Sequence, residues 1–352
     1  MSEPLRIRLQ NAEKTAFCGA SLTQTLYRFP LTVLCLGPLG AGKTTFVQGL
    51  ARAMGIHEAV TSPTFALEQR YRTGNGMSFL HLDLFRLTPI QAAETIRATD
   101  DHEGIRCIEW ADRLPSGTVQ EPTIIVALEE WGSERIATIT FDDLPLASSK
   151  EITEWRSLIH LPQHIIDHCD AVGTLAAQLG MKLIEDGQIV RLDAVRHSGE
   201  LHDLFRFIDF SDGAGPDGLR YPNEAKTMWA HWTSHWRAIK STMKHEEACA
   251  RFLTEKGYPE LARMIEVHGL MLPSPDRTTV EQKLLFYADK RVQGSRVVTL
   301  QERFEDFCAR YSSGKDSALS KAWYKEARRV ERELFSHGIS PMLGKGLGLG
   351  LG

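Results

Sequence analysis

Eight consecutive residues carry the plainest chemistry in the chain, Gly37-Pro-Leu-Gly-Ala-Gly-Lys-Thr44. Their spacing, G-x-x-x-x-G-K-T, is that of a phosphate-binding loop. Gly37, Gly40 and Gly42 let the backbone turn tightly, so that consecutive N–H groups point at one anion. The cradle runs on through Ala41, Lys43, Thr44 and Thr45 into a helix whose N-terminal dipole adds positive potential. Lys43 is a point charge for the outer phosphates of a nucleoside triphosphate, and the Thr44 hydroxyl suits Mg²⁺.

Two carboxylates stand where such a loop needs them. Asp83 ends an apolar strand, a position for holding Mg²⁺ or one of its waters. Glu109 ends a second strand, a position for orienting or deprotonating an attacking water. Thr61-Ser-Pro-Thr64 offers hydroxyls on a stiff turn, suited to sensing a terminal phosphate. Trp110 can stack on a nucleotide or on a partner. The structural alternatives are a strand-end cap for Asp83 and core filling for Trp110.

A second constellation lies beyond residue 158. His168 shares a helix face with Val172, Leu175 and Leu179. His202 and Asp203 follow Val195 and Leu201 and precede Leu204 and Phe205. His245 shares a face with Ala248, Cys249 and Phe252, and His268 with Leu261, Met264 and Ile265. Asp289 continues the face of Leu285 and Phe286. A single inward histidine is ordinarily a satisfied core residue. Four histidines and two aspartates on the apolar faces of five helices suit one or two divalent ions, with imidazole favouring Fe, Mn, Zn or Co.

The elements that position these groups differ between the two parts. Leu31 to Leu36 is a buried strand feeding the loop, and Thr45 to Met54 is the helix that follows it. Strand-like runs recur at Phe65 to Tyr71, Ser78 to Leu84, Arg106 to Trp110, Thr123 to Leu128 and Arg135 to Phe141. Residues 3–10 suit an edge strand, while Ala12 to Leu26 and Thr88 to Ile96 have helical spacing. This pattern predicts an α/β P-loop-type domain over 1–143. Residues 144–157, with Pro, Ser and charge, are expected to be a linker. Helical periods then dominate, predicting an all-α domain over 158–340. Residues 341–352, ending in alternating Gly and Leu, form a low-complexity tail.

The totals narrow the classes. At 352 residues, two domains are expected. There are 14 basic and 17 acidic residues up to position 150 and 27 and 28 beyond it, so neither part offers a broad basic surface for nucleic acid. The six cysteines lack zinc-ribbon spacing and read as buried free thiols. No apolar run approaches the roughly 20 residues that span a bilayer. A cytoplasmic protein with no membrane partner is the expectation.

The loop together with Thr61-Ser-Pro-Thr-Phe65, His81-Leu-Asp-Leu-Phe-Arg-Leu87, Ile108-Glu-Trp110 and Arg113-Leu-Pro115 resembles the TsaE (YjeE) family over residues 10–140. That family is the ATPase of tRNA threonylcarbamoyladenosine synthesis, which modifies adenosine 37. The resemblance implies ATP and Mg²⁺ as cofactors, Lys43 and Thr44 as their ligands, and Asp83 serving the metal. It places Glu109 and Trp110 in the active site, with TsaD and TsaB as partners and tRNA reached through them. Pro38 and Phe85 depart from the family pattern, which usually has an acidic residue and tyrosine there. Pro38 removes one backbone donor at the second loop position.

The order His168, His202-Asp203, His245, His268, Asp289 is similar to the H…HD…H…H…D pattern of HD-domain phosphohydrolases, over residues 158–312. It implies that His168, His202, Asp203 and Asp289 are core ligands, with His245 and His268 completing a second metal. The implied reaction is metal-assisted hydrolysis of a nucleotide or related phosphate ester, with Lys290 or Arg206 as phosphate contacts. The 42 positions between Asp203 and His245 exceed the compact members, and the added segment 207–242 is either a substrate lid or outer packing. The expected function is therefore a TsaE-type ATPase joined to an HD metallohydrolase. The competing reading is an ATP-dependent interaction module whose HD part is a sensor or scaffold. A nucleotide kinase explains Lys43 and Thr44 but not Thr61 to Phe65 or Glu109-Trp110.

Overall fold

The computed structural model describes residues 3–120, 122–209, 243–271, 273–311 and 317–336. The chain divides into two compact units, Met1–Pro145 with Ile184–Val190, and Leu146–Leu183 with Arg191–Gly352.

The first unit is built on a seven-stranded sheet of order β1-β7-β6-β2-β5-β4-β3. Its strands are β1 (Leu5–Leu9), β2 (Leu31–Leu36), β3 (Glu68–Arg72), β4 (Ser78–Asp83), β5 (Ile105–Glu109), β6 (Thr123–Trp131) and β7 (Glu134–Asp142). β6, β2, β5 and β4 run parallel, and antiparallel strands flank them. β1 is an edge strand, as its weak alternation suggests, paired with β7. The central strands β2 and β5 are buried along nearly all their length and accordingly rich in Leu, Ile and Val.

Helix α1 (Ala12–Ser21) is capped by Asn11 and continues as a 3₁₀ turn through Thr25. It packs on α2 (Lys43–Ala53), which starts directly from the phosphate loop. Helix α3 (Pro89–Arg97) opens with a capping box from Thr88 and Gln91. Ala92 and Ile96 of α3 join Leu80, Leu82 and Ile108 in one core cluster. Alternation along β4 and β5 therefore sends His81, Asp83, Cys107 and Glu109 to the opposite face. The segment Ile184–Val190 belongs to this unit: Lys14 Nζ donates to the Asp186 carbonyl at 2.8 Å, and Ile189 N–H donates to Ser21 Oγ at 2.9 Å.

The second unit is helical. It contains α4 (Ser149–Leu158), α5 (Gln163–Glu185, of which Ile184 and Glu185 belong to the first unit), α6 (Leu192–Leu201), α7 (His245–Glu255), α8 (Pro259–Glu266), α9 (Val280–Asp289), α10 (Leu300–Tyr311) and α11 (Ser317–Leu334). Two details depart from the all-α expectation and from a linker over 144–157. Residues Val292–Gln293 and Arg296–Val297 form a small antiparallel ribbon, β8 and β9, turned at Gly294. Helix α4 occupies much of 144–157 because Ser148 and Glu151 cap it reciprocally, a signal hidden in a Pro- and Ser-rich stretch. The tail 341–352, and most of the 207–242 segment with its Trp- and His-rich run, lie outside the described residues. No helix among the described residues is long and apolar enough to cross a membrane.

Candidate functional site

The phosphate loop leaves the C-terminal end of β2 and enters α2. Gly37, Gly40 and Gly42 have φ of 130°, 82° and 102°. At Gly37 a side chain is doubly excluded, since a Cβ would also lie 2.1 Å from the Leu128 carbonyl oxygen. The Pro38 carbonyl accepts from Ala41 N–H at 3.3 Å, closing the turn within the loop. Ala41 is buried, and Thr45 is half-buried in the first turn of α2. Lys43 Nζ donates to the Gly37 and Pro38 carbonyls at 2.7 and 2.8 Å. Burial lowers the Lys43 pKa, while the nearby Glu109 carboxylate works in the other direction.

Trp110 forms the wall beside this lysine. Lys43 Nζ lies 3.7 Å from its ring centroid, and Phe85 packs against it with centroids 4.7 Å apart. Trp110 takes left-handed φ and ψ of 59° and 41°, a conformation costly for a bulky residue and characteristic of functional loops. Phe85, a departure from the family pattern, thus serves as the aromatic partner of Trp110.

The carboxylates converge on the same strand ends, where register pairs Asp83 with Glu109 across β4 and β5. Asp83 Oδ2 accepts from Ser62 Oγ at 2.5 Å and Thr64 Oγ1 at 2.7 Å, and its Oδ1 accepts from Phe85 N–H at 2.9 Å. The hydroxyl-bearing turn is therefore fastened to the carboxylate expected to serve the metal. Glu109 Oε2 accepts from Thr44 Oγ1 at 2.9 Å, and its Oε1 lies 2.9 Å from His81 Nε2. The spacing of the sequence alone assigns His81 no role. Its signal was a polar residue amid Phe79, Leu80 and Leu82 on a buried strand.

The second unit brings together all six residues that the sequence places on helix faces, although His202 and Asp203 lie just past the end of α6 and His268 just past the end of α8. His168 Nε2 is 3.2 Å from Asp289 Oδ1, His245 Nε2 is 3.2 Å from Asp203 Oδ1, and His245 and His268 present Nε2 atoms 3.3 Å apart. His202 Nε2 lies 3.7 Å from both Asp203 Oδ2 and Asp289 Oδ1. Potential ligand atoms cluster as His168–His202–Asp289, His202–Asp203–His268 and His245–Glu246–His268.

Hydrogen bonding turns each imidazole the same way. Nδ1 of His168, His202 and His268 faces the carbonyls of Gly294, Gly199 and Ile265 at 2.8, 2.7 and 2.6 Å. Nδ1 of His245 faces the Asp209 carboxylate. Donation from Nδ1–H leaves four Nε2 lone pairs directed at the carboxylates, the tautomer that metal-ligating histidines adopt. His202 Nε2 is fully buried without a hydrogen-bond partner. An orphaned imidazole nitrogen flanked by carboxylates fits a bound cation and is costly otherwise.

The buried carboxylates favour positive charge at this centre, whether a protonated imidazole or a metal ion. Against the penalty of burial, Asp203 and then Asp289 hold His202 well above its ordinary value. Asp203 and Asp289 are buried as well, yet His202 for the first and Lys290 for the second keep them well below the usual carboxylate range. Burial, His202 and His245 lower His268, against its bond to Asp203. Two cations expected to contact phosphate are engaged within the cluster. Lys290 Nζ is bonded to Asp289, and Arg206 Nη1 sits 3.1 Å from His245 Nδ1 and 3.3 Å from Asp209 Oδ2. Asp209 and Glu246 are members that helical periodicity did not reveal. Asp209 lies in a 3₁₀ turn, and Glu246 precedes the apolar positions of α7.

A mixed sheet with a parallel centre, a glycine loop at a strand end and paired acidic strand ends define a P-loop nucleotide-binding protein in the first unit. The family model of the threonylcarbamoyl adenosine biosynthesis protein TsaE matches residues 9–137. The chain is 38% identical over 143 residues to the tRNA threonylcarbamoyladenosine biosynthesis protein TsaE of Nostoc sp., covering 38% of this chain and 85% of that protein. It is 34% identical over 137 residues to the TsaE of Bacillus subtilis, covering 39% and 85%. Bacillus subtilis YdiB, a solved structure, is 30% identical and covers 40% of this chain and 88% of that one, with a TM-score of 0.31. The chain belongs to the TsaE family through its first unit.

Proposed function

We propose that the first unit is an ATP·Mg²⁺ hydrolase serving tRNA threonylcarbamoyladenosine synthesis at adenosine 37. Its partners would be TsaD and TsaB, with tRNA engaged through them. Family membership supports the pathway, and the loop geometry supports the reaction. In this reading the loop N–H groups and Lys43 bind the phosphates and neutralise charge on the transferred group. Thr44 and Asp83 are the residues that would hold Mg²⁺, which would supply positive charge to offset that of the phosphates. Each has a polar partner to exchange for it, Glu109 for Thr44 and the Ser62–Thr64 hydroxyls for Asp83. Glu109 accepts the proton of the attacking water, and Trp110 walls the nucleotide pocket. The observation that carries this reading is the convergence of Lys43, Thr44, Asp83 and Glu109 at adjoining strand ends. A Lys43→Ala chain should fail to complement a strain lacking TsaE; normal complementation would overturn the assignment.

We further propose that the second unit is an HD-type metallohydrolase acting on a nucleotide or related phosphate ester. Its single supporting observation is the four histidines whose Nε2 atoms turn toward Asp203 and Asp289, with His202 Nε2 orphaned. His168, His202, Asp203 and Asp289 would hold one ion of the Fe, Mn, Zn or Co class, and His245 and His268 would complete a second. Such an ion supplies Lewis acidity toward phosphate and lowers the pKa of water. The sensor or scaffold alternative requires binding alone. Incubating the intact protein with Mn²⁺ and a panel of nucleotides, dinucleoside polyphosphates and cyclic nucleotides separates the two. Hydrolysis of a panel member, abolished by His202→Ala with Asp203→Ala, is expected. Tight binding without hydrolysis would favour the sensor.

A further inference from the structure

We infer that His81 is a positioning residue for ATP hydrolysis, holding one oxygen of Glu109 so that the other faces the nucleotide loop. The inference rests on the reading of Glu109 as the group that handles the attacking water.

The strand places the two residues together. On parallel β4 and β5, His81 is opposite Cys107 and Asp83 is opposite Glu109. Side chains two apart on a strand share a face, so His81 stands one pair behind the two carboxylates, on the sheet face opposite the α3 core. His81 is fully buried and Glu109 nearly so, at 0% and 2% exposure. An imidazole at such a site has no reason to displace an apolar side chain unless its polar atoms are used.

One of them is used. His81 Nε2 lies 2.9 Å from Glu109 Oε1, while Nδ1 is buried with no hydrogen-bond partner. A hydrogen on Nδ1 would have no acceptor, so the hydrogen belongs on Nε2 and is donated to the carboxylate. With Oε1 held from behind, Oε2 points forward to Thr44 Oγ1 at the first turn of α2.

This geometry fixes the carboxylate before the reaction needs it. When Thr44 turns to Mg²⁺, Oε2 loses its donor and becomes free for a water, while His81 keeps the group from rotating. Water oxygen then bonds to the terminal phosphorus as the bond to the bridging oxygen of ADP breaks, and the water's proton passes to Oε2. His81 touches neither nucleotide nor water. Its effect is on the rate of the chemical step, not on ATP affinity.

The test uses the full-length chain in excess over ATP and Mg²⁺, with single-turnover hydrolysis followed by quenching. ATP affinity is read in parallel with a fluorescent analogue. His81→Leu should slow hydrolysis about 10- to 100-fold, part of what a general base contributes, while affinity changes less than about two-fold. His81→Gln, whose amide N–H can reach the same oxygen, should recover most of the rate. His81→Asn, with a shorter arm, should not recover it. In a Glu109→Gln background, His81→Leu should add no further loss. Wild-type hydrolysis by His81→Leu, equal impairment in folded Gln and Asn variants, or an undiminished loss in the Glu109→Gln background would each overturn the inference. If Glu109→Gln alone hydrolyses at the wild-type rate, the assignment of Glu109 fails first. If His81→Leu does not fold, the Gln and Asn pair decides.

Discussion

At the strand ends of the first unit, the polar groups of the loop and of the two carboxylates are answered by neighbours of ordinary hydrogen-bonding chemistry, and the orphaned His81 Nδ1 lies one pair behind them. Lys43 is held by the Gly37 and Pro38 carbonyls, Thr44 by Glu109, and Asp83 by Ser62, Thr64 and Phe85 N–H. At the helical centre, His202 Nε2 has no partner, and Asp203 and Asp289 stand among imidazoles whose other nitrogens are already committed. The first arrangement has exchangeable internal partners and can bind and release a ligand with little penalty. The second leaves a buried demand for positive charge, which suits a resident ion. A reversible nucleotide site and a fixed metal centre call for these two kinds of preorganisation.

The comparison breaks if the two centres respond to each other's mutations. Lys43→Ala carries the largest expected effect, a loss of about 100-fold or more in ATP turnover, with the metal content of the chain unchanged. Turnover assays beside elemental analysis check both halves of that statement. Asp209→Ala should weaken metal retention about 10- to 100-fold, the usual cost of removing a carboxylate behind a histidine ligand. Competition with a chelator measures it, and ATP turnover should be untouched. A wild-type metal affinity would show that His245 needs no orientation from Asp209.

Smaller effects sharpen the structural side. Gly49→Ala should destabilise the first unit by about 1–3 kcal/mol through overpacking, because its Cβ would lie 1.9 Å from the Ala16 carbonyl oxygen in the α1–α2 contact. A lower melting temperature with unchanged metal content is expected. Ser148→Ala should cost about 1 kcal/mol by uncapping α4. The same capping box gives a pH signature. Bonds from Tyr258 and then Ser148 lower Glu151 to about 2. A depressed carboxylate contributes stability above its unfolded value, and that contribution fades as pH falls toward 2. Denaturation of Glu151→Gln against wild type should therefore show a gap at neutral pH that closes in acid.

The two regions were legible in the sequence for different reasons. Contiguous spacing exposed the loop, and the hydrophobic runs placed its strands nearly at their observed bounds. The interior glycines had a further meaning that composition hid, since Gly19 and Gly49 mark close helix contact, not flexibility. Helical periodicity put His168, His202, Asp203, His245, His268 and Asp289 on inward faces, and they do converge. It could not reveal Asp209, which reaches the cluster from a 3₁₀ turn, and it passed over Glu246, the acidic neighbour of His245 at the start of α7. Likewise the first turn of α4 was obscured because its cap residues resemble a linker. His81 escaped assignment because its partner Glu109 is 28 positions away and adjacent only through strand pairing.

Elemental analysis of the intact protein, purified anaerobically without chelators, tests the account most directly. The prediction is one or two equivalents of a divalent transition ion per chain, absent from His202→Ala with Asp203→Ala, while both proteins hydrolyse ATP at similar rates. A wild-type chain that retains no metal under these conditions would contradict a resident metal centre and leave the phosphate loop as its one active site.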